Sequence, residues 1–137
     1  LAWKPLSKEE KVGVRPVESL VEWPLEYEEF VRLFNKGDYF EAHEVLEDLW
    51  VIEVAPLKDY YKGLIQWAVA VCHHERGNPS GALKLYHSGA RLLSPYPVRF
   101  EGLDRSAWSA AMESLFGSKI ETAMPPLVLI NMEGTGN

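Results

Sequence analysis

Along the chain, apolar residues recur at helical spacing in blocks separated by glycine and proline. Tyr27, Phe30, Val31 and Phe34 follow i, i+3, i+4, i+7, which is one apolar stripe on a helix. Asn35-Lys36-Gly37-Asp38 reads as a turn, with Gly37 ending that helix and Asp38 starting the next. A second helix runs from about Tyr39 to Val51, and Phe40, His43, Glu47 and Trp50 share one side of it. Pro56 suits the first turn of a third helix that continues to Arg76 and stops at Gly77-Asn78. That helix is apolar on most sides (Tyr60, Tyr61, Leu64, Ile65, Trp67, Ala68, Val71), so it is expected at the centre of the fold. Pro79 opens a fourth helix through Leu93, stopped by Ser94-Pro-Tyr-Pro97, and Asp104 caps a fifth that ends near Gly117.

The ends read differently. Pro5, Pro16 and Pro24 break any helical period over residues 1–24, leaving an extended arm that Trp3 and Trp23 anchor. Met124-Pro-Pro126 breaks the chain again, and Leu127 to Ile130 reads as an extended tail with no evident strand partner. The expected architecture is therefore all-α: a compact antiparallel bundle of about five helices over 25–117, an N-terminal arm over 1–24 and a tail over 118–137. Phe34-Asn-Lys-Gly37-Asp and His74-Glu-Arg-Gly77-Asn form a weak repeat at an offset of 40, each followed by a small Ala (Ala42, Ala82). The pairing is tetratricopeptide-like, although that repeat has a period of about 34 and needs three or more copies for a solenoid.

Composition narrows the function classes. With 137 residues, 47% hydrophobic and 25% charged, the chain can bury a core, and its net charge of −6 argues against nucleic acid as a partner. The first 50 residues hold 12 acids and 6 bases, and the remainder holds 8 of each, so the excess lies around Glu26 to Asp48. Cys72 is the single cysteine and sits in an apolar run, as a small core residue does. No basic-then-apolar leader and no membrane-length apolar run is seen, so a cytoplasmic location without a membrane partner is expected.

His43-Glu44-Val-Leu-Glu47-Asp48-Leu-Trp50 is the densest chemistry. His43 and Glu47, at i and i+4, can reach one common atom. Imidazole and carboxylate suit a divalent transition metal, with His73, His74 or His87 as a third ligand and His73 or His74 better placed. The string lacks the second histidine of the zinc-protease pattern, and the Glu-x-x-His of di-iron bundles is absent. Otherwise His43 and Glu47 bond to each other, or to a tyrosine and Gln66, the only polar residue between Gly63 and Cys72, as a satisfied core network. Arg91, Arg99 and Arg105 are read as solvated, and Trp50 and Trp67 as core.

These residues carry a family resemblance. His43, Glu47, Asp48 and Trp50 resemble the His-x-x-x-Glu-Glu-x-Trp motif of the family catalogued as domain of unknown function 309, with Asp48 in place of the second Glu. Phe34 to His43, Gly63-Leu-Ile-Gln66, His73, and Arg76 to Asn78 with Gly81-Ala82 are similar to it too, so the resemblance covers about 27–104. It implies a small antiparallel helical bundle and no particular reaction. The expected function is a non-enzymatic binding or protein-interaction module in which His43, Glu47, Asp48, Trp50, Gln66 and His73 form a core network or small pocket. The partner would be a protein or a small ligand, and homo-oligomerisation is open. The alternative is a metal-dependent hydrolase-like enzyme with His43, Glu47 and His73 as ligands and Glu44 or Asp48 activating water.

Overall fold

Two of the helices end in the same way, and both endings were written into the repeat. The computed structural model describes residues 23–117 and 124–129. In it α1 (Leu25–Asn35) closes with Gly37 at φ 86° and α3 (Leu57–Glu75) closes with Gly77 at φ 79°. The Asp38 amide donates to the Leu33 carbonyl and the Gly37 amide to Phe34, at 2.9 Å each. Forty residues on, the Asn78 amide donates to His73 at 2.8 Å and the Gly77 amide to His74 at 3.1 Å. This paired bonding satisfies carbonyls that the helix end leaves free, and the left-handed φ favours glycine there.

The turns lead into α2 (Tyr39–Ile52) and α4 (Pro79–Leu93), and the expected helices are all present. Asn78 caps α4 by accepting the Gly81 amide at 3.2 Å, and Pro79 occupies the first helical position where no amide partner is needed. A cis Ala55–Pro56 bond precedes α3. The last helix, α5 (Ser106–Gly117), starts where the Asp104 carboxylate accepts both the Ser106 amide at 2.9 Å and the Ser106 hydroxyl at 2.6 Å.

The all-α expectation holds, with α3 at the centre. It packs on α2 along one flank and on α4 along the other, while α1 packs on α2. Gly63 and Gly89 set the α3–α4 approach. A Cβ on Gly89 would lie 3.0 Å from the Gly63 carbonyl oxygen, and one on Gly63 would lie 2.6 Å from Leu93 Cγ. Such contacts leave no space for a methyl group. Ala42 and Ala82, the small residues of the repeat, are both fully buried. Trp108 of α5 closes the bundle: its ring lies 4.6 Å from Phe34, 5.2 Å from Trp67 and 6.3 Å from Phe30.

One element was not anticipated. Between α4 and α5 the chain forms a small hairpin of β1 (Arg99–Phe100) and β2 (Leu103–Asp104). Its two-residue turn has Glu101 at φ 50° and Gly102 at φ 73°, the paired positive φ that suits the twist of a tight hairpin. The hairpin also corrects the reading of the tail. Leu129 bridges antiparallel to Leu103, and Asn35 clamps Leu127 from both sides of its peptide, accepting its amide and donating to its carbonyl at 2.7 Å each. A strand partner therefore exists for this segment. The expected arm lies outside the described residues except for Trp23 and Pro24, as does the tail except for 124–129.

Candidate functional site

The buried face of α2 is Ala42, Leu46 and Leu49, and this places the motif on its other sides. Glu47 and Asp48 are exposed, while His43 and Trp50 are half-buried at the edge facing α3. Three cation–ring contacts, two from α3 and one from the residue that follows it, fix that edge. The Lys58 ammonium sits 4.6 Å and the Lys62 ammonium 5.9 Å from the Trp50 ring centre, and the Arg76 guanidinium lies 5.1 Å over Phe40. Lys58 also donates to the carbonyls of Trp50 at 2.6 Å and Glu53 at 3.3 Å. The last turn of α2 has no basic residue of its own, so Lys58 supplies from α3 the positive charge that its C-terminal dipole favours.

On α3 the residues Lys62, Gln66, Val69 and His73 are spaced 4, 3, 4, and all four are half-buried between the flank on α2 and the flank on α4. Lys62 reaches α2 at Trp50, and His73 reaches the start of α4, its Nδ1 3.2 Å from Asn78 Nδ2. The motif residues are spaced 4 and 3 on α2 (His43, Glu47, Trp50) and 7 on α3 (Gln66, His73), and Trp50 among them bridges the α2–α3 seam by its contacts with Lys58 and Lys62.

Hydrogen bonding assigns both histidine rings. His43 Nδ1 lies 2.5 Å from the Phe40 carbonyl, which can only accept, so Nδ1 carries the proton and Nε2 offers a lone pair. Asn78 Oδ1 is held by the Gly81 amide, so Nδ2 donates to His73 Nδ1 and the neutral ring keeps its proton on Nε2. Two further atoms matter more. Trp50 Nε1 and Gln66 Oε1 are both buried without a hydrogen-bond partner, the first a donor and the second an acceptor. Gln66 lies one helical turn beyond Lys62, the residue that stacks on Trp50.

The metal expectation finds no support in this arrangement. Among the described residues, no group of three or more His, Cys, Asp or Glu side chains is placed to hold a metal ion. His43, Glu47 and His73 are not gathered into such a group, because Glu47 points to solvent and His73 is turned to Asn78. Elsewhere, a depression of about 480 Å³ between α1 and α2 is lined by Leu25, Glu26, Glu28, Glu29, Arg32 and Val45. Partial burial, with the Asp48 carboxylate adding to it, pushes the Glu26 carboxyl up from its ordinary value.

A second polar cluster went unread in the sequence. Arg105, expected to be solvated, is only 5% exposed. Its guanidinium donates to the carbonyls of Pro97 at 3.0 Å, Tyr96 at 3.3 Å and Leu93 at 3.4 Å, and stands 5.7 Å over the Tyr60 ring. The chain curling through 93–97 concentrates these acceptors around one point, which a forked cation satisfies. Tyr27 and Tyr60 join hydroxyls at 2.8 Å, and Tyr27 donates onward to the Glu101 carbonyl at 2.8 Å. Burial pushes Tyr60 up to about 12 and holds Tyr27 and Tyr61 well above the ordinary phenol value.

The comparisons with known proteins bear on the seam. Residues 27–85 match the family model "Domain of unknown function (DUF309)". The match bears out the family resemblance, though not the His/Glu/Trp motif itself, over a stretch that holds most of α1, all of α2 and α3 and the first half of α4. His43, Glu47, Trp50, Gln66 and His73 all lie inside the DUF309 match, whereas the hairpin, Arg105 and α5 lie beyond it. The chain is 38% identical over 105 residues to an "Uncharacterized protein YpuF" of Bacillus subtilis (strain 168), covering 73% of this chain and 59% of that protein. It is 30% identical over 101 residues to an "Uncharacterized protein" of Aquifex aeolicus (strain VF5), covering 73% of this chain and 30% of that protein. The chain thus spans less than two thirds of either relative. Among the described residues, no helix is long and apolar enough to cross a membrane.

Proposed function

We propose that the chain is a binding module whose α2–α3 seam receives a segment of another polypeptide in extended form. The observation that carries this reading is the pair of unpartnered buried atoms, Trp50 Nε1 and Gln66 Oε1. Buried polar groups without a partner are uncommon, and each costs about 1–3 kcal/mol. Other such atoms occur among the described residues: Trp108 and Tyr61 belong to fully buried residues, and the half-buried Trp23 and Glu26 lie at and near the start of α1, whereas Trp50 and Gln66 sit among the motif residues. The histidine assignments extend the pattern: His43 Nε2 accepts and His73 Nε2 donates, so these residues offer both donors and acceptors. An extended backbone carries both N–H and C=O groups to meet them. From Lys62 to His73 the seam runs about 16 Å at ~1.5 Å per residue, which matches about five extended residues. The tetratricopeptide-like pairing of the hairpins and a cytoplasmic location, supported by the single buried Cys72, belong to the same reading.

A random heptapeptide library displayed on phage and panned on the full chain tests this, with counter-selection on the Trp50→Phe/Gln66→Leu double variant. Enriched peptides are expected to bind the parent at least tenfold more tightly than the variant. The variant should be as stable as the parent or slightly more so, since it removes two unpaired polar atoms. Peptides that bind both chains equally, or no enrichment at all, would overturn the reading.

A further inference from the structure

Among the described residues, α2 and α4 each carry charge of a single sign. α2 carries Glu41, Glu44, Glu47 and Asp48 with no lysine or arginine. Residues 76–100 carry Arg76, Lys84, Arg91 and Arg99 with no acid at all. On α2 the exposed acids Glu41, Glu44 and Asp48 are spaced 3 and 4, away from the seam. On α4 the exposed residues Lys84, His87 and Arg91 have the same spacing. None of these six side chains makes an ion pair among the described residues. Each face also has exposed apolar residues: Val51 at 63% and Ile52 at 55% on α2, and Leu83 at 41% on α4.

From this complementarity we propose that the outer face of α2 docks on the outer face of α4 of a second copy of this chain. The lengths agree, since helices of 14 and 15 residues are each about 21–22 Å long at ~1.5 Å per residue. A matched row of opposite charges around apolar residues is the arrangement of a specific interface with a polar rim. Geometry sets the kind of assembly. α2 and α4 each pack on α3, and the acidic and basic faces belong to different helices, so the contact joins two unlike surfaces. The contact is head-to-tail, and every added copy leaves one acidic and one basic face free. The seam of the previous section is not part of it.

Sedimentation equilibrium of the full chain at 20 mM and 500 mM NaCl tests the proposal, because exposed charges are screened over about 3–10 Å in this upper range of salt. The weight-average mass should rise with concentration above the 15.6 kDa monomer at low salt and return to it at high salt. Two charge-reversed chains sharpen the test. Lys84→Glu/Arg91→Glu and Glu44→Lys/Asp48→Lys should each be monomeric alone, with unchanged helical circular dichroism, and should associate when mixed one to one. A parent chain monomeric at both salts would overturn the proposal. So would association that salt leaves unchanged, or either variant associating by itself. Should a variant fail to fold, the salt dependence of the parent still decides.

Discussion

At the hairpin end of the bundle, Tyr27, Tyr60 and Arg105 are sealed among aromatic rings, and their polar atoms go to backbone carbonyls. Along the α2–α3 seam, His43, Glu47, Trp50, Gln66 and His73 stay at or near the surface, and two of their polar atoms have no partner at all. The hairpin end lies mostly outside the DUF309 match, and the seam lies inside it. Satisfied polar burial is what a fold needs to hold itself together. Unpartnered polar atoms occur at that end too, on Tyr61, Trp108 and Trp23, so the contrast rests on the hydrogen bonds of Tyr27, Tyr60 and Arg105 against the surface position of the motif residues. Stability and recognition are thus expected to separate by region, and substitutions can probe that separation directly.

The largest effect belongs to the aromatic side of the contrast. Trp108→Ala removes a fully buried ring that touches α1 and α3 together, and should cost about 3–5 kcal/mol in urea unfolding. Next comes Arg105→Met, which keeps the apolar stem and leaves the 93–97 carbonyls without their donor. A loss of about 2–3 kcal/mol is expected by the same measurement. A loss below about 0.5 kcal/mol, the level of an ordinary surface change, would mean that this end is no more structural than the seam.

The phenols add a pH dependence of smaller size. Tyr27→Phe deletes the hydroxyl that links Tyr60 to Glu101, at about 1–2 kcal/mol. A phenol in the unfolded chain titrates near ~10, whereas Tyr60 is pushed up to about 12 in the fold. The folded state therefore holds its proton more tightly. This contribution is fully present below about pH 10 and is lost as pH rises through about 12. Urea midpoints between pH 8 and 12 should stay flat at first and then fall. The fall should be shallower in Tyr27→Phe, which removes one phenol raised well above its ordinary value.

How much of this was readable beforehand differs between the regions for a physical reason. The helices were legible because their apolar stripes follow spacings of 3 and 4, and because Gly37, Gly77 and Pro79 punctuate them with backbone chemistry that is local in sequence. The repeat at 40 was legible on the same ground, since both of its turns are built from adjacent residues. The hairpin was not, because strands of two residues show no alternation and Glu101-Gly102 is a weak turn signal. Nor was Arg105, since nothing local says that three carbonyls will converge on it. At the seam, the sharing of one helix side was legible and its depth was not. Phe40, His43, Glu47 and Trp50 are spaced 3, 4, 3, and the buried Ala42, Leu46 and Leu49 are spaced 4 and 3. Periodicity finds both stripes, but only packing decides which one faces in.

The smallest effects are expected where the sequence shows the most chemistry. Glu47 is exposed, and the hydrogen bond of His43 runs to Phe40 on its own helix, so neither side chain ties α2 to another element by a polar contact. His43→Ala and Glu47→Ala should therefore each change stability by no more than about 0.5 kcal/mol, measured as a shift in the urea midpoint at constant slope. A core lock would behave otherwise, with either substitution leaving a buried partner unpaired at about 1–3 kcal/mol. A structural metal would behave differently again: chelator alone would lower the melting temperature of the parent chain and leave that of His43→Ala unchanged. Unchanged melting of the parent in EDTA, together with two near-neutral substitutions, would place the motif with recognition. A loss in either substitution comparable to that of Arg105→Met would erase the contrast between the two regions.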